Sequence, residues 1–123
     1  MITEHEALEF CEQWLSAWTG NQPEALLAYY TPDACYLDPA RPSGLTGHDA
    51  MRAYFTRLLA KNPDWVWTAE EVMPTADGFT LKWKAVVPGA GSEAVLYGLD
   101  IVEMRDNRIA RNEVYFDPSA MRG

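Results

Sequence analysis

Strict alternation of apolar and polar side chains between Phe79 and Val87 is the feature that most constrains how this sequence can fold. The apolar positions are Phe79, Leu81, Trp83, Ala85 and Val87, and the polar positions between them are Thr80, Lys82 and Lys84. A period of two predicts a β-strand that buries one face and exposes the other to solvent. Such half-buried strands are typical of antiparallel sheets, so we expect this segment to belong to one.

Three further segments in the C-terminal half predict strands of the same sheet. They run from Trp65 to Met73, from Ala94 to Met104 and from Ile109 to Phe116, and turn-forming residues separate them. A shorter strand is predicted at Ala34 to Leu37, because this apolar run is too short for a helix. The C-terminal half is therefore predicted to form four consecutive antiparallel strands joined by hairpin turns.

The N-terminal segment has the 3.6-residue period of an amphipathic helix instead. Helix 1 is predicted over about Thr3 to Thr19, and Thr3 and Glu6 have the spacing of a capping box at its start. Trp14 and Trp18 belong to its apolar stripe. These two indoles either pack in the core or form a cavity wall, and both N–H groups require a hydrogen-bond partner when buried.

Two more helices are predicted before the first long strand. Helix 2 begins near Asn21 and carries Tyr30 on its apolar face. Helix 3 is predicted over residues 47–62, with Tyr54 and Phe55 in a stripe at helical spacing. Together with the strands, these segments predict an α+β protein in which three N-terminal helices pack on one face of a curved, mostly antiparallel sheet.

Composition excludes several classes of partner. The chain has 123 residues, which fits a single domain over residues 1–123, and its formal net charge is −8. A nucleic-acid or anionic membrane partner requires a basic surface, so neither is expected. Cys11 and Cys35 lie in apolar surroundings and are interpreted as buried free thiols of a reducing compartment. With no basic leader and no apolar run of membrane-spanning length, a cytoplasmic protein is expected.

Asp38 is the first candidate for a functional residue. It ends the short apolar strand and is followed at once by Pro39 and a Pro/Ser/Gly-rich segment, predicted to be a loop. A carboxylate at the end of a buried strand is costly to desolvate unless it has partners or a chemical task. Asp38 is therefore either a base at the mouth of a pocket or a turn residue before the proline.

Asp100 is the second candidate. Its strand is apolar on both alternating sets, so the carboxyl group has no route to bulk water from the middle of the strand. Desolvation should raise its pKa, and a neutral carboxylic acid can donate a hydrogen bond. The alternative is a buried carboxylate paired with Arg111, with Arg52 or with a backbone N–H.

The last two strands predict one inner and one outer face. Asn112, Val114 and Phe116 share a face that can line a pocket. The outer face is predicted to be an interface between two copies of the chain, because its apolar patch is too large to leave in water. This predicted homodimer surface consists of Val95, Tyr97, Leu99, Ile101, Glu113 and Tyr115.

Several motifs in this order resemble the nuclear-transport-factor-2-like superfamily, in its ketosteroid-isomerase and SnoaL-like polyketide-cyclase branch. They are W-L-S-A-W, A-L-L-A-Y-Y-T-P-D-A, Y-L-D-P, G-L-T-G-H-D-A-M-R, Y-G-L-D-I-V-E-M and N-R-I-A-R-N-E-V-Y-F-D, and they span nearly the whole chain. The resemblance implies a cone-shaped fold, in which a strongly bent sheet wraps around the helices and encloses a deep apolar pocket. It also implies a homodimer through the outer face of the sheet.

The same resemblance implies roles for the two carboxyl groups. Asp38 matches the base of the isomerases, and Asp100 matches the protonated aspartic acid of their oxyanion hole. Trp14 stands where those enzymes have a tyrosine donor, so Trp14 or Asn112 would assist Asp100. The side chains expected to bind the substrate are Trp14, Trp18, Tyr30, Tyr54, Phe55, Trp83, Asn112, Val114 and Phe116.

Two classes of function follow from these residues. The first is a cofactor-independent enzyme that isomerises or cyclises a small apolar carbonyl compound, or a variant in which Asp38 or Asp100 activates water, as in a hydratase or epoxide hydrolase. The second is a non-catalytic ligand-binding or dimerisation module of the same fold. The sequence has no His/Cys cluster at metal-ligand spacing and no glycine-rich phosphate loop, so neither a metal nor a cofactor is expected.

Overall fold

The computed structural model describes residues 2–89 and 92–117. Its helices are α1 (Glu4–Ser16), α2 (Pro23–Leu27) and α3 (His48–Lys61). Its strands are β1 (Tyr30–Asp38), β2 (Arg41–Thr46), β3 (Val66–Pro74), β4 (Gly78–Gly89), β5 (Ser92–Arg105) and β6 (Arg108–Tyr115). The predicted α+β class is confirmed, because six strands form one mostly antiparallel, curled sheet with the helices against it.

The sheet has the strand order β2-β1-β6-β5-β4-β3. Every neighbouring pair is antiparallel except β1 and β6, which run parallel, with Tyr36 opposite Asn112. Irregular register between Ala69 and Glu71 and between Glu103 and Met104 marks β-bulges, which bend strands and increase their twist. The parallel pair places the end of β1, and therefore Asp38, beside β6, which is the last strand in the sequence and an inner strand of the sheet.

Helix α1 begins as the sequence predicts and ends earlier. Thr3 Oγ1 accepts a hydrogen bond from the Glu6 backbone N–H at 3.1 Å, and Glu6 Oε1 accepts one from the Thr3 N–H at 3.0 Å. The helix ends at Ser16 rather than Thr19, because the chain tightens into a turn in which Trp18 N–H donates to Leu15 O. The capping box is therefore confirmed, and Trp18 lies just beyond the helix.

Two predictions for the segment between α2 and α3 are wrong. Tyr30 begins strand β1 instead of lying in helix 2, because Tyr29 O accepts the Ile109 N–H at 2.8 Å and this tertiary pairing overrides helical propensity. The Pro/Ser/Gly-rich segment is strand β2 and not a loop. It forms an edge strand, where proline and glycine are tolerated because only one side pairs.

The two cysteines differ in exposure. Cys11 is fully buried in the core, and desolvation raises the pKa of its thiol to about 12. Cys35 is exposed, because it lies on the outer face of β1, and its Sγ is 3.9 Å from Thr46 Oγ1. The prediction that both thiols are buried is therefore wrong for Cys35.

The core lies between the helices and the inner face of the sheet. α1 packs on β3 and β4, α3 packs on β1 and β2, and α2 contacts α3. The largest fully buried aromatic side chains of the core are Trp14, Tyr30, Phe55 and Phe79. Among the described helices, none is long and apolar enough to cross a bilayer.

Candidate functional site

A cavity of about 310 Å³ opens between the helices and the inner face of the sheet. Its wall is mostly apolar and rich in aromatic rings. The lining residues are Leu15, Trp18, Tyr36, Asp38, Pro39, Ala40, Tyr54, Leu58, Leu59, Asn62, Trp65, Trp67, Trp83, Leu96, Asp100, Val114 and Phe116. Asp38 and Asp100 are the two carboxyl groups in this lining.

Asp38 is held by four hydrogen-bond donors. Its Oδ2 accepts the hydroxyls of Tyr36 at 2.8 Å and Tyr54 at 2.6 Å. Its Oδ1 accepts the backbone N–H groups of Ala40 at 2.8 Å and Arg41 at 3.0 Å. Asp38 is thus both the turn residue between β1 and β2 and a carboxyl group in the cavity wall, and its four donors suit an ionised carboxylate.

Asp100 has fewer donors and is more completely desolvated. Trp83 Nε1–H donates to Oδ1 at 2.7 Å, and Asn112 Nδ2–H donates to Oδ2 at 3.0 Å. Burial raises the pKa of Asp100 to about 7, the two hydrogen bonds oppose that rise, and the charge of Asp38 adds to it. Near neutral pH this carboxyl group is therefore present in both protonated and ionised forms.

Neither acid of the cavity forms an ion pair in the described part of the chain, and the Arg41 guanidinium lies over the Tyr54 ring, 5.0 Å from its centroid. The arginines that could have paired with Asp100 bind other carboxylates: Arg52 pairs with Glu24 at 2.6 Å, and Arg111 with Glu103 at 3.0 Å. No lysine, arginine or histidine lines the cavity among the described residues. The arginine alternative for Asp100 is therefore wrong, and the polar partners that replace the arginine are an indole and an amide.

The tyrosines on Asp38 are poor acids in this setting. Burial raises the pKa of Tyr36 well above its usual range, and the neighbouring Asp38 charge raises it further. Burial and the hydrogen bond to Asp38 raise the pKa of Tyr54 in the same way. Both hydroxyls therefore stay protonated at ordinary pH and act as neutral donors.

The structure separates the predicted substrate-binding residues into two groups. Trp18, Tyr54, Trp83, Val114 and Phe116 line the cavity. Four others do not line it and are fully buried behind its wall: Trp14, Tyr30, Phe55 and Asn112. The helical stripe and the strand alternation identify inward-facing positions, but they do not distinguish a sealed core from a cavity wall.

Three important lining residues were not among the predicted site residues. Tyr36 lies two positions before Asp38, and the period of a strand places both on one face. Trp65 and Trp67 pack on each other with ring centroids 5.7 Å apart, and the ring centroids of Trp67 and Trp18 are 5.9 Å apart. The alternation around Asp38 was a signal that could have identified Tyr36 from the sequence.

Metal-binding side chains do not cluster in this cavity. Over residues 2–89 and 92–117, no group of three or more His, Cys, Asp or Glu side chains could hold a metal ion. The chemistry that the arrangement can support is proton transfer, because two carboxyl groups in unequal environments face one apolar space.

Comparison with solved structures shows the fold. A protein with a ketosteroid-isomerase-like fold from Catenulispora acidiphila, in complex with trimethylamine, matches with a TM-score of 0.78 and 23% identity over 91% of this chain and 88% of that one. A SnoaL-like protein of unknown function from Burkholderia thailandensis matches with a TM-score of 0.78 and 21% identity over 95% and 99%. At such identities the likeness shows the fold alone.

A third solved structure agrees with these two. It is a nuclear-transport-factor-2-like protein of unknown function from Burkholderia pseudomallei, with a TM-score of 0.75 and 17% identity over 98% of this chain and 95% of that one. Comparison with curated protein sequences gives no significant match. The sequence model of the SnoaL-like domain matches residues 11–112, which is most of the chain. This chain therefore belongs to the SnoaL-like domain family.

Proposed function

We propose that the cavity binds a small apolar carbonyl compound and catalyses proton transfer at the carbon next to the carbonyl group, with Asp38 as the base and protonated Asp100 as the donor to the oxygen. The observation that carries this proposal is the pair of carboxyl groups in one apolar cavity with unequal partners. Four donors surround Asp38, whereas Asp100 has two donors and a pKa raised by burial to about 7.

Asp38 must give up one hydrogen bond to accept a proton from the substrate. Both backbone donors on Oδ1 are fixed by the turn, but the two tyrosine hydroxyls on Oδ2 can rotate. We assign this movement to Tyr54, which is the more exposed of the two at 8% against 3% for Tyr36. The Tyr54 hydroxyl can then turn to the substrate oxygen and leave an Oδ2 lone pair free for the proton.

The step balances without a cofactor. The α-carbon loses a proton to Asp38, and the electron pair of the broken C–H bond forms the enolate, whose oxygen accepts a hydrogen bond from protonated Asp100. Asp38 then returns the proton to another carbon, which gives an isomerisation. Alternatively the enolate carbon attacks a second carbonyl group of the same molecule, and the alkoxide formed there takes the proton from Asp38, which gives an aldol-type cyclisation.

The cavity also favours a class of substrate. A volume of about 310 Å³ is at the lower end of the range for small-molecule sites, so the substrate is small. Two carboxyl groups without a basic neighbour among the described lining residues disfavour carboxylate and phosphate ligands. The aromatic wall, with Trp18, Trp67 and Trp83, favours a flat apolar molecule.

The substitution Asp38→Asn tests the role of the base. The amide keeps an acceptor for the two backbone N–H groups, and the tyrosine oxygens can accept from its nitrogen, so the fold should survive. We expect turnover of a ketone substrate to fall by about 10²–10⁴, with ligand affinity by calorimetry changed only a few-fold. The matched control is Asp33→Asn, an exposed position of the same strand, which should retain full turnover.

A non-catalytic binding module is the second candidate, and one observation favours it. The four donors fill the acceptor sites of both Asp38 carboxylate oxygens, as expected for a carboxylate that only shapes a turn. In that case a ligand binds to the protein and to Asp38→Asn equally well, and neither protein exchanges the α-protons of a bound ketone for deuterium. Solvent deuterium exchange followed by NMR distinguishes the two candidates.

A further inference from the structure

A buried chain of hydrogen bonds leads away from Asp100 into the core. Asn112 donates through Nδ2 to Asp100 at 3.0 Å and accepts through Oδ1 from the Tyr30 hydroxyl at 2.8 Å. Asn112 and Tyr30 are both fully buried, so water cannot replace either partner. Neither residue lines the cavity, and the proposed reaction gives neither of them a role.

Trp14 packs beyond the Tyr30 end of this chain. Its ring lies against Tyr30 with centroids 6.4 Å apart at an angle of 73°. Burial and the charge of Asp100 raise the pKa of Tyr30, and the nearby Trp14 N–H acts against that rise. Trp14 Nε1 makes no hydrogen bond among the described residues, so the hydrogen-bonded chain ends at Tyr30.

The chemistry of the carboxylate fixes the direction of the bonds that lead to it. An ionised carboxylate can only accept, and the Tyr30 hydroxyl donates to the Asn112 oxygen. Asn112 then presents its oxygen to Tyr30 and its NH₂ group to Asp100. On the other carboxylate oxygen, Trp83 is an indole and can only donate.

We propose that Tyr30 and Asn112 form a one-way donor chain whose function is to position a hydrogen-bond donor on Asp100. We call these two residues the donor chain. It stabilises the ionised form of Asp100, because the Asn112 N–H donates more strongly to a charged carboxylate than to a neutral carboxylic acid. The donor chain therefore sets the pH above which Asp100 stops donating to a ligand.

Other groups that face Asp100 act in the opposite direction or are neutral. Asp38 on β1 raises the pKa of Asp100 through its charge. Cys11 on α1 and Tyr30 on β1 interact with the Asp100 charge, but both are protonated at neutral pH because their pKa values are raised. Burial and the Asp38 charge raise the pKa of Asp100, and the two hydrogen bonds from Asn112 and Trp83 are the interactions that limit it to about 7.

The substitution Tyr30→Phe tests the donor chain without any substrate. It removes the hydroxyl that fixes the Asn112 amide, so the Asn112 N–H is no longer held on Asp100 Oδ2 and the ionised form loses a donor. Titration of the Asp100 carboxyl carbon by ¹³C NMR should move to higher pH by about one unit, which corresponds to one lost hydrogen bond. The matched control is Tyr54→Phe, which removes a hydroxyl bound to Asp38 and should leave the Asp100 midpoint nearly unchanged.

Asn112→Leu provides a second variant in case Tyr30→Phe does not fold. It nearly keeps the shape of the side chain and removes the donor on Asp100 Oδ2, so the Asp100 midpoint should rise by at least as much. In the unsubstituted protein, the NMR chemical shifts of the Asn112 side-chain amide protons and of the Trp83 indole proton should change with pH at the Asp100 midpoint. The proposal is overturned by an unchanged Asp100 midpoint in the folded variants, or by an Asn112 amide shift that does not follow the ionisation of Asp100.

The inference rests on the proposed function for its consequence in catalysis only. If both hold, Tyr30→Phe extends activity to higher pH, because Asp100 keeps its proton longer. If the cavity has no catalytic activity, the NMR midpoints still respond as described. Failure of the donor chain and failure of the proposed function are therefore distinguishable.

Discussion

At the scale of single residues, Asp100 is where burial and hydrogen bonding compete most directly. The carboxyl group is 3% exposed and its pKa rises from 3.8 to about 7. Between about pH 4 and pH 7 the folded protein keeps a proton that the unfolded chain has released. The free energy of unfolding therefore decreases as pH rises through this window, and the ionised group destabilises the fold by about 4 kcal/mol above it.

The substitution Asp100→Asn should remove this penalty. The amide oxygen can accept a hydrogen bond from Trp83, and the amide carries no charge that burial would penalise. We expect the variant to be more stable than the unsubstituted protein by roughly 2–4 kcal/mol near pH 8, and by much less near pH 4. Urea unfolding at the two pH values measures the difference.

Asp33→Asn is the control, because it should change the free energy of unfolding near pH 8 in the opposite direction. The hydrogen bond from Arg105 lowers the pKa of exposed Asp33, so its ionised form stabilises the fold at high pH. Its replacement should give a small loss of stability near pH 8 and no gain. Equal stability of Asp100→Asn and the unsubstituted protein near pH 8 would contradict the account of Asp100.

At the scale of elements, the pairing of β4 with β5 positions the indole that binds Asp100. Trp83 lies directly opposite Gly98, and the absence of a side chain there leaves room for the indole. A Cβ at Gly98 would lie 2.1 Å from Trp83 Cζ2, which no side chain tolerates. Gly98 therefore allows the Trp83 ring to pack against β5, the strand that carries Asp100.

The substitution Gly98→Ala should displace Trp83 and weaken its hydrogen bond to Asp100. We expect a loss of roughly 1–3 kcal/mol in the free energy of unfolding, as for overpacking in a core. The double variant Gly98→Ala, Trp83→Leu provides the check, because the methyl group then has no ring to strike. If Gly98→Ala is equally harmful in both backgrounds, as chemical denaturation would show, its effect does not act through Trp83.

The elements show where sequence patterns were sufficient and where they were not. Helix α3 and strands β3 to β6 were predicted within a few residues, because their periods extend over several turns or pleats. Strand β2 and the start of β1 were missed, because they depend on pairing between distant segments. In the site, a strand ending identified Asp38 and a strand that is apolar on both faces identified Asp100, but the burial of Trp14 and Asn112 behind the wall depends on three-dimensional packing.

At the scale of the whole molecule, the outer face of the sheet remains apolar and exposed. Tyr97 is 55% exposed and Leu99 44%. The exposed large side chains on this side of β5 and β6 are Val95, Tyr97, Leu99, Ile101 and Tyr115. We propose that a second copy of the chain covers this face, because a patch of this kind is unfavourable in water and the outward residues of neighbouring strands make it continuous.

The substitution Leu99→Arg should weaken such a dimer. A charge at the centre of an apolar interface loses its hydration without gaining a partner, so light scattering should show a shift from dimer to monomer. Leu8→Arg is the matched control, because Leu8 is similarly exposed at 39% but lies on helix α1 and not on the outer face of the sheet. A monomer for the unsubstituted protein at micromolar concentration would refute the dimer.

The parallel contact between β1 and β6 also bears on how the protein folds. The Tyr30–Asn112 hydrogen bond joins residues 82 positions apart, and it is part of the same network as Asp100. Contacts of such long sequence separation form slowly, because a long loop must close before they contribute. We expect β3, β4 and β5 to assemble first as local hairpins, and the candidate site to be completed only in the last folding step, when β1 pairs with β6.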